Sequence, residues 1–502
     1  MQKVKISLLC MALLLQLNRV LPQGGKGIFE GGTDVGNIQL KGSLTYNNAL
    51  QQYGITGSGN NIWFNHDAFY YAWRQLTGDF ILQARVSWVG KGKEAHRKAG
   101  WMVRTTLDST SAMVCGAVHG DGLAALQYRT AATANIEEQR MTVKAPDVLQ
   151  LERKGNKFIL SAAVFGEPFD TIAVSDVQLG EKVYAGLFVC AHNAQVTEKA
   201  QFSNVRIIVP APDSLLAYKQ YLGSHIELLD VHSGNRKIIY TDSTTSLQAP
   251  NWTHDGKALL YNSKGLIYHF DLATKKIEPL NTGAVKQNNN DHVLSFDGRW
   301  LGLSSNGNNA VSGSLVFTVP VTGGEPKQIT PVGPSYLHGW SPDGKTLLFT
   351  GQRKGDFDIY SVPAAGGEEK QLTNTPGLDD GSEYSPDGQY IYFNSVRSGT
   401  MQLWRMRPDG SGQTQLTDDG FNNWFPHVSP DGKQIVFLSF NKDVAPGDHP
   451  FYKRVYIRVM PVSGGAPKVL AYVYGGQGSM NTPGWSPDSR HIAFVSNSGR
   501  LQ

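Results

Sequence analysis

The sequence predicts an all-β protein, an N-terminal β-sandwich followed by a six-bladed β-propeller. Three observations predict it. One turn signature recurs six times in the C-terminal part, strand-length apolar alternation punctuated by Gly, Asn and Asp fills the N-terminal part, and 55 of the 502 residues are glycine. A chain of this length buries more than one core without help from a metal or a partner. Its formal net charge of +4 is small, and no dense Lys/Arg stripe tracks a phosphate backbone, so nucleic acid is excluded as an expected partner.

Residues 1–23 carry Lys3 and Lys5 ahead of an apolar run from Ile6 to Leu15, too short to span a bilayer and suited to a secretory signal peptide. A periplasmic or secreted location is expected, with no transmembrane segment in the mature chain. Of the cysteines that remain, Cys115 and Cys190 both sit in apolar strand-like runs. Export permits a disulfide, and buried free thiols are the competing expectation.

Residues 24–211 form the expected first domain, with runs such as Phe80-Ile81-Leu82-Gln83-Ala84-Arg85-Val86 alternating in strand fashion up to the Pro210-Ala211-Pro212 linker. Leu76-Thr77-Gly78-Asp79-Phe80, Lys98-Ala99-Gly100-Trp101-Met102-Val103-Arg104 and Ala200-Gln201-Phe202-Ser203-Asn204-Val205 resemble the concanavalin-like or laminin-G-like jelly-roll family over roughly residues 27–209. That resemblance implies a jelly-roll β-sandwich with an accessory glycan-binding role. Trp63, His66, Asp67, Tyr70, Tyr71 and Trp73 offer an aromatic stretch for stacking on sugar rings, with half of them expected in the core at strand spacing.

Residues 212–502 carry the repeat: Thr253-His254-Asp255-Gly256, Ser295-Phe296-Asp297-Gly298, Ser341-Pro342-Asp343-Gly344, Ser385-Pro386-Asp387-Gly388, Ser429-Pro430-Asp431-Gly432 and Ser486-Pro487-Asp488-Ser489. The aspartates are 42, 46, 44, 44 and 57 residues apart, the period of a four-stranded blade. Pro presets the φ of the second position of a type I turn and Gly suits the fourth, so each copy joins two antiparallel strands. With Asp358-Ile359-Tyr360 and Gln371-Leu372-Thr373, these units resemble the TolB-like propeller family. Closure pairs strands around 483–495 with N-terminal strands at 215–218, 225–231 and 237–240, one strand more than a blade needs.

Chemistry is expected where the chain departs from the repeat, just before each turn. Asp291, His292, His338, Asp380, Glu383 and His427 stand there as candidate catalytic groups, from blades that converge on one axis. His292, His338 and His427 would hold a divalent metal (Mn, Zn or Ca), or the same groups would act as general acid and base on a sugar. His292 and His338 precede their turn Asp by five residues, Glu383 and His427 by four, so some of the four are expected to face inter-blade packing. Asn481, Trp424 and Arg353 are candidate substrate contacts. An insertion at 441–454 adds His449 and Arg454.

Two functions follow. Oligogalacturonate lyases, among TolB-like propellers, are similar in using central histidines with a metal, and that resemblance implies a polysaccharide- or oligosaccharide-cleaving enzyme, lyase or glycoside hydrolase. The alternative is a non-enzymatic periplasmic binding or scaffolding protein with envelope proteins as partners. Clustering of the imidazoles is the feature that separates them.

Overall fold

The computed structural model describes residues 25–216, 219–306 and 313–501. The signal peptide expected at 1–23 lies outside these residues. Among the described residues there is no helix, and none long and apolar enough to cross a membrane.

The N-terminal part is two seven-stranded antiparallel sheets. The first runs in the order Gly31–Val35, Phe69–Thr77, Lys182–Cys190, Lys98–Arg104, Met113–His119, Ala124–Arg129, Glu137–Arg140. Its partner runs Asp170–Val174, Lys157–Ala163, Val148–Lys154, Phe80–Val89, Glu198–Ile208, Gln52–Gly57, Ser43–Asn47. Alternate residues of both sheets, among them Leu82, Trp101, Phe158, Leu187 and Phe202, share one buried core. The outer face of the first sheet is covered as well. Phe69, Tyr71, Met102, Cys115, Phe188 and Cys190 pack there, and both cysteines are free thiols.

Six blades follow. Five are complete four-stranded sheets whose inner strands are Gln248–Trp252, Asn288–Leu294, Ser335–Trp340, Asp379–Tyr384 and Asn422–Val428. The sixth joins both ends of the propeller: Gly223–Asp230 pairs with His491–Ser498 on one side and Arg236–Asp242 on the other, and a Trp485–Ile492 bridge marks its innermost edge. The surplus strand expected at 215–218 is absent at Leu215 and Leu216, which carry no strand pairing; residues 217–218 lie outside the described residues.

Each repeat turn is held by a hydroxyl, Thr in the first turn and Ser in the other five, that donates to the Asp two residues on. The Ser341 hydroxyl donates to Asp343 Oδ1 at 2.6 Å and accepts from the Thr346 amide at 2.9 Å. The Asp343 carboxylate also accepts the Lys345 amide. Gly344 takes φ +70°, a conformation that L side chains resist, which explains the recurrent Asp-Gly.

The two parts meet through a buried ion cluster. Glu227 of the closing blade accepts from Arg206, on the last N-terminal strand, at 2.6 Å and from Arg236 at 2.8 Å. Arg236 in turn donates to Gln83 and to the Tyr472 carbonyl.

Candidate functional site on the propeller axis

The five complete blades share an irregularity that the sequence does not announce. Strand register shifts within each inner strand, between Gln248 and Asn251, Asn288 and His292, Leu337 and Gly339, Asp380 and Glu383, and Trp424 and His427. A bulge re-aims the side chains around it. Ala249, Gly381 and Phe425 take positive φ within three of these bulges. The simple alternation expected for the candidate residues therefore does not apply.

At the end of the axis where the inner strands begin, three blades meet. His338 Nε2 lies 2.8 Å from Asp380 Oδ1. Asp380 also accepts from Thr350 Oγ1 at 2.7 Å and from the Gly381 amide at 2.8 Å. Burial pushes the Asp291 carboxyl up to about 6, with His338 opposing and Asp380 adding to the rise. Asp380 goes the other way, to about 2, because the His338 charge and hydrogen bonds outweigh its burial. Burial disfavours charge on His338, yet the facing carboxylates raise its pKa.

Nearer the turns a second pair crosses between blades. His427 Nδ1 stands 2.6 Å from Glu383 Oε2, while Glu383 Oε1 accepts the Val428 amide and His427 Nε2 faces the Met480 carbonyl at 3.3 Å. His292 is fully buried and turns its Nε2 to the Leu260 carbonyl of the preceding blade at 3.5 Å. Burial lowers its pKa to about 4.

His292, His338 and His427, the expected metal ligands, do not share one cluster of ligand atoms among the described residues. Among the described residues, the one group of three or more His, Cys, Asp or Glu side chains whose ligand atoms lie within 4.8 Å of one another is His96, His119 and Asp121, in the N-terminal sheets. The bulges send the three propeller histidines to three different partners instead of to one point.

The candidate substrate contacts divide. His449 reaches the axis, its ring 4.4 Å from that of buried Trp424 and 5.5 Å from that of Phe425. Asn481 accepts the Gly478 amide and closes its own turn. Arg454 leaves the axis and pairs with Glu152 of the N-terminal sheets, while Phe451 and Tyr452 of the same insertion pack with Ile81 and Ile208. Arg353 is committed within its blade. It forks onto Glu369 at 2.8 and 3.0 Å and donates to the Val332 and Pro334 carbonyls.

The turn face holds a feature that the motif reading missed. A cavity of about 320 Å³ opens there, walled by Trp252, Phe296, Trp340 and Trp485 and by Pro386, Pro430 and Pro487 of the turns. Glu383 is the one carboxylate in its lining. The signal was present in the repeat, because the second turn position reads His254, Phe296, Pro342, Pro386, Pro430 and Pro487, and four of these residues converge with His254 at the rim.

The N-terminal sheets carry a separate cleft of about 960 Å³, lined by Tyr46, Tyr53, Tyr70, Gln52, Gln201 and Lys199 among others. Of the expected aromatic platform, Tyr70 lines this cleft. Tyr71 is buried with its hydroxyl on the Met102 and Tyr184 carbonyls, and Asp67 is buried between Arg104 and Arg129.

A model of the TolB β-propeller domain matches residues 335–499. An uncharacterized protein of Agrobacterium fabrum is 43% identical over 273 residues, 54% of this chain and 92% of its own length. A solved structure from Agrobacterium tumefaciens, provisionally called TolB, is 43% identical, with a TM-score of 0.52 over 55% of this chain and 98% of its own. An oligogalacturonate lyase solved with manganese is 15% identical, with a TM-score of 0.33 over 53% of this chain and 73% of its own, a likeness too slight to bear on the site.

Proposed function

We propose that this chain, which belongs to the TolB-like β-propeller family, is an exported binding protein that takes an apolar peptide segment of another envelope protein into the turn-face funnel, without chemistry. The observation that carries the reading is the funnel itself. Four large aromatic side chains and four prolines wall a volume at the small end of ligand pockets, enough for one or two bulky side chains. Glu383 at its base, oriented by His427, supplies an acceptor for a peptide N–H or a cationic group.

The enzyme reading rested on clustered imidazoles, and these are spread over separate inter-blade contacts. One observation still favours it as a second reading. Asp291 and Asp380 flank His338 with carboxyl pKa values driven apart, the pattern of an acid and base acting on a glycan. Under either reading the N-terminal sheets form a concanavalin- or laminin-G-like jelly roll that binds glycan, supported by the tyrosine-lined cleft.

The test is selection from a displayed random-peptide library on the mature chain and on a Phe296→Lys/Pro430→Lys variant, alongside turnover assays on uronate-containing and neutral glycans. Enrichment of apolar or aromatic sequences by the wild type alone, with no turnover, supports binding. Turnover abolished by Asp291→Asn overturns it in favour of the enzyme.

A further inference from the structure

We infer that the rim of the N-terminal sheets holds a divalent transition cation, of the zinc class, on His96, His119 and Asp121. The site is independent of the propeller. It arises from strand order: Lys182–Cys190, Lys98–Arg104 and Met113–His119 are adjacent and antiparallel, so the end of the first, the start of the second and the end of the third lie at one rim. His192, His96 and His119 occupy those three places.

The backbone beneath them is fixed. The Gly120 and Asp121 amides donate to the Arg97 and Ala95 carbonyls, both at 2.9 Å, so the two residues flanking His96 are pinned to the hairpin that carries His119 and Asp121. Arg97 anchors this loop further through Glu198 at 2.6 Å and by stacking on Trp88.

The donors are presented without competing partners. His119 is 5% exposed, and neither of its ring nitrogens has a hydrogen-bond partner, a costly state for a buried imidazole. Asp121 uses Oδ1 for the Leu123 amide and leaves Oδ2 3.7 Å from His96 Nδ1. The His192 ring is 5.6 Å from that of His96, and its Nδ1 is also buried and unpartnered.

Nearby charges are already engaged. The Lys98 ammonium donates to Asn61 Oδ1 and the Ile62 carbonyl, and Glu138 accepts from Gln127 and Arg140.

Two imidazoles and one carboxylate suit zinc and its neighbours and disfavour calcium or magnesium, which take oxygen ligands. The three ligand atoms lie within 4.8 Å of one another, and tetrahedral bonds of about 2.0 Å would draw them to about 3.3 Å. The exposed His96 ring can make that movement. The remaining position is open to His192, water or a bound hydroxyl.

The test is calorimetric titration of Zn²⁺ into the metal-stripped mature chain. One ion per chain is expected, with His96→Ala and Asp121→Asn each weakening binding by about tenfold or more and substitution of the exposed His232, His232→Ala, leaving it unchanged. Both rim residues are exposed, so unchanged melting without metal checks that these variants fold. Absence of binding in the micromolar range, or binding indifferent to both rim variants, overturns the assignment.

Discussion

His427 of the fifth blade stands 2.6 Å from Glu383 of the fourth, and the pair ties two inner strands at the base of the turn-face funnel. Both side chains are buried, so removing one leaves the other without its charge partner. His427→Ala is expected to destabilise the propeller by about 3 kcal/mol or more. Urea unfolding followed by tryptophan fluorescence measures this, and a loss well under 1 kcal/mol would show the pair to be loosely held.

Asp291 gives the axis a pH dependence with a definite sign. Its folded pKa of about 6 lies above the ordinary 3.8, so the folded state keeps a proton that the unfolded chain releases. Stability from this group is therefore lost as pH rises from about 4 to 6. Asp380, lowered to about 2, contributes stability above the ordinary carboxylate range and loses it as pH falls toward 2. Asp291→Asn is expected to gain roughly 2–3 kcal/mol over wild type at pH 7, with little gain at pH 4. Urea midpoints across that range check it. A difference independent of pH would contradict it.

The Ser341 hydroxyl serves Asp343 and the Thr346 amide together. Ser341→Ala is expected to cost about 1 kcal/mol, and the same change at Ser385 or Ser429 a similar amount, because those turns repeat the geometry. Thermal melting of the three variants measures it.

Glu227 couples the two halves of the chain. Burial opposes its charge, but Arg206 and Arg236 hold its carboxyl well below the usual range, so this stabilisation persists at all pH values above the ordinary Glu pKa and fails only in acid. Glu227→Gln leaves two buried guanidinium groups underpaired and is expected to cost about 3–5 kcal/mol. Calorimetry should show the loss as a lower or split transition.

Blade number was legible in the sequence because a turn needs local chemistry: Ser or Thr, Asp and a residue tolerant of positive φ within four positions, six times over. The axis was legible only in part. Its residues were found at the right strands, but the inner-strand bulges carry no sequence mark, and they decide that His292 meets Leu260 while His427 meets Glu383. Arg454 illustrates the same limit at longer range, since its partner Glu152 lies in the other half of the chain. The rim histidines 96, 119 and 192 were invisible because strand order, not spacing, makes them neighbours.

The most direct measurement is the dissociation constant of a library-selected peptide for the wild type, Phe296→Lys/Pro430→Lys and Asp291→Asn, read from the fluorescence of the funnel tryptophans. The expected result is binding weakened about 100-fold or more by the charged rim and unchanged by Asp291→Asn. Binding indifferent to the rim and lost with Asp291→Asn would place the ligand at the opposite end of the axis and contradict the account.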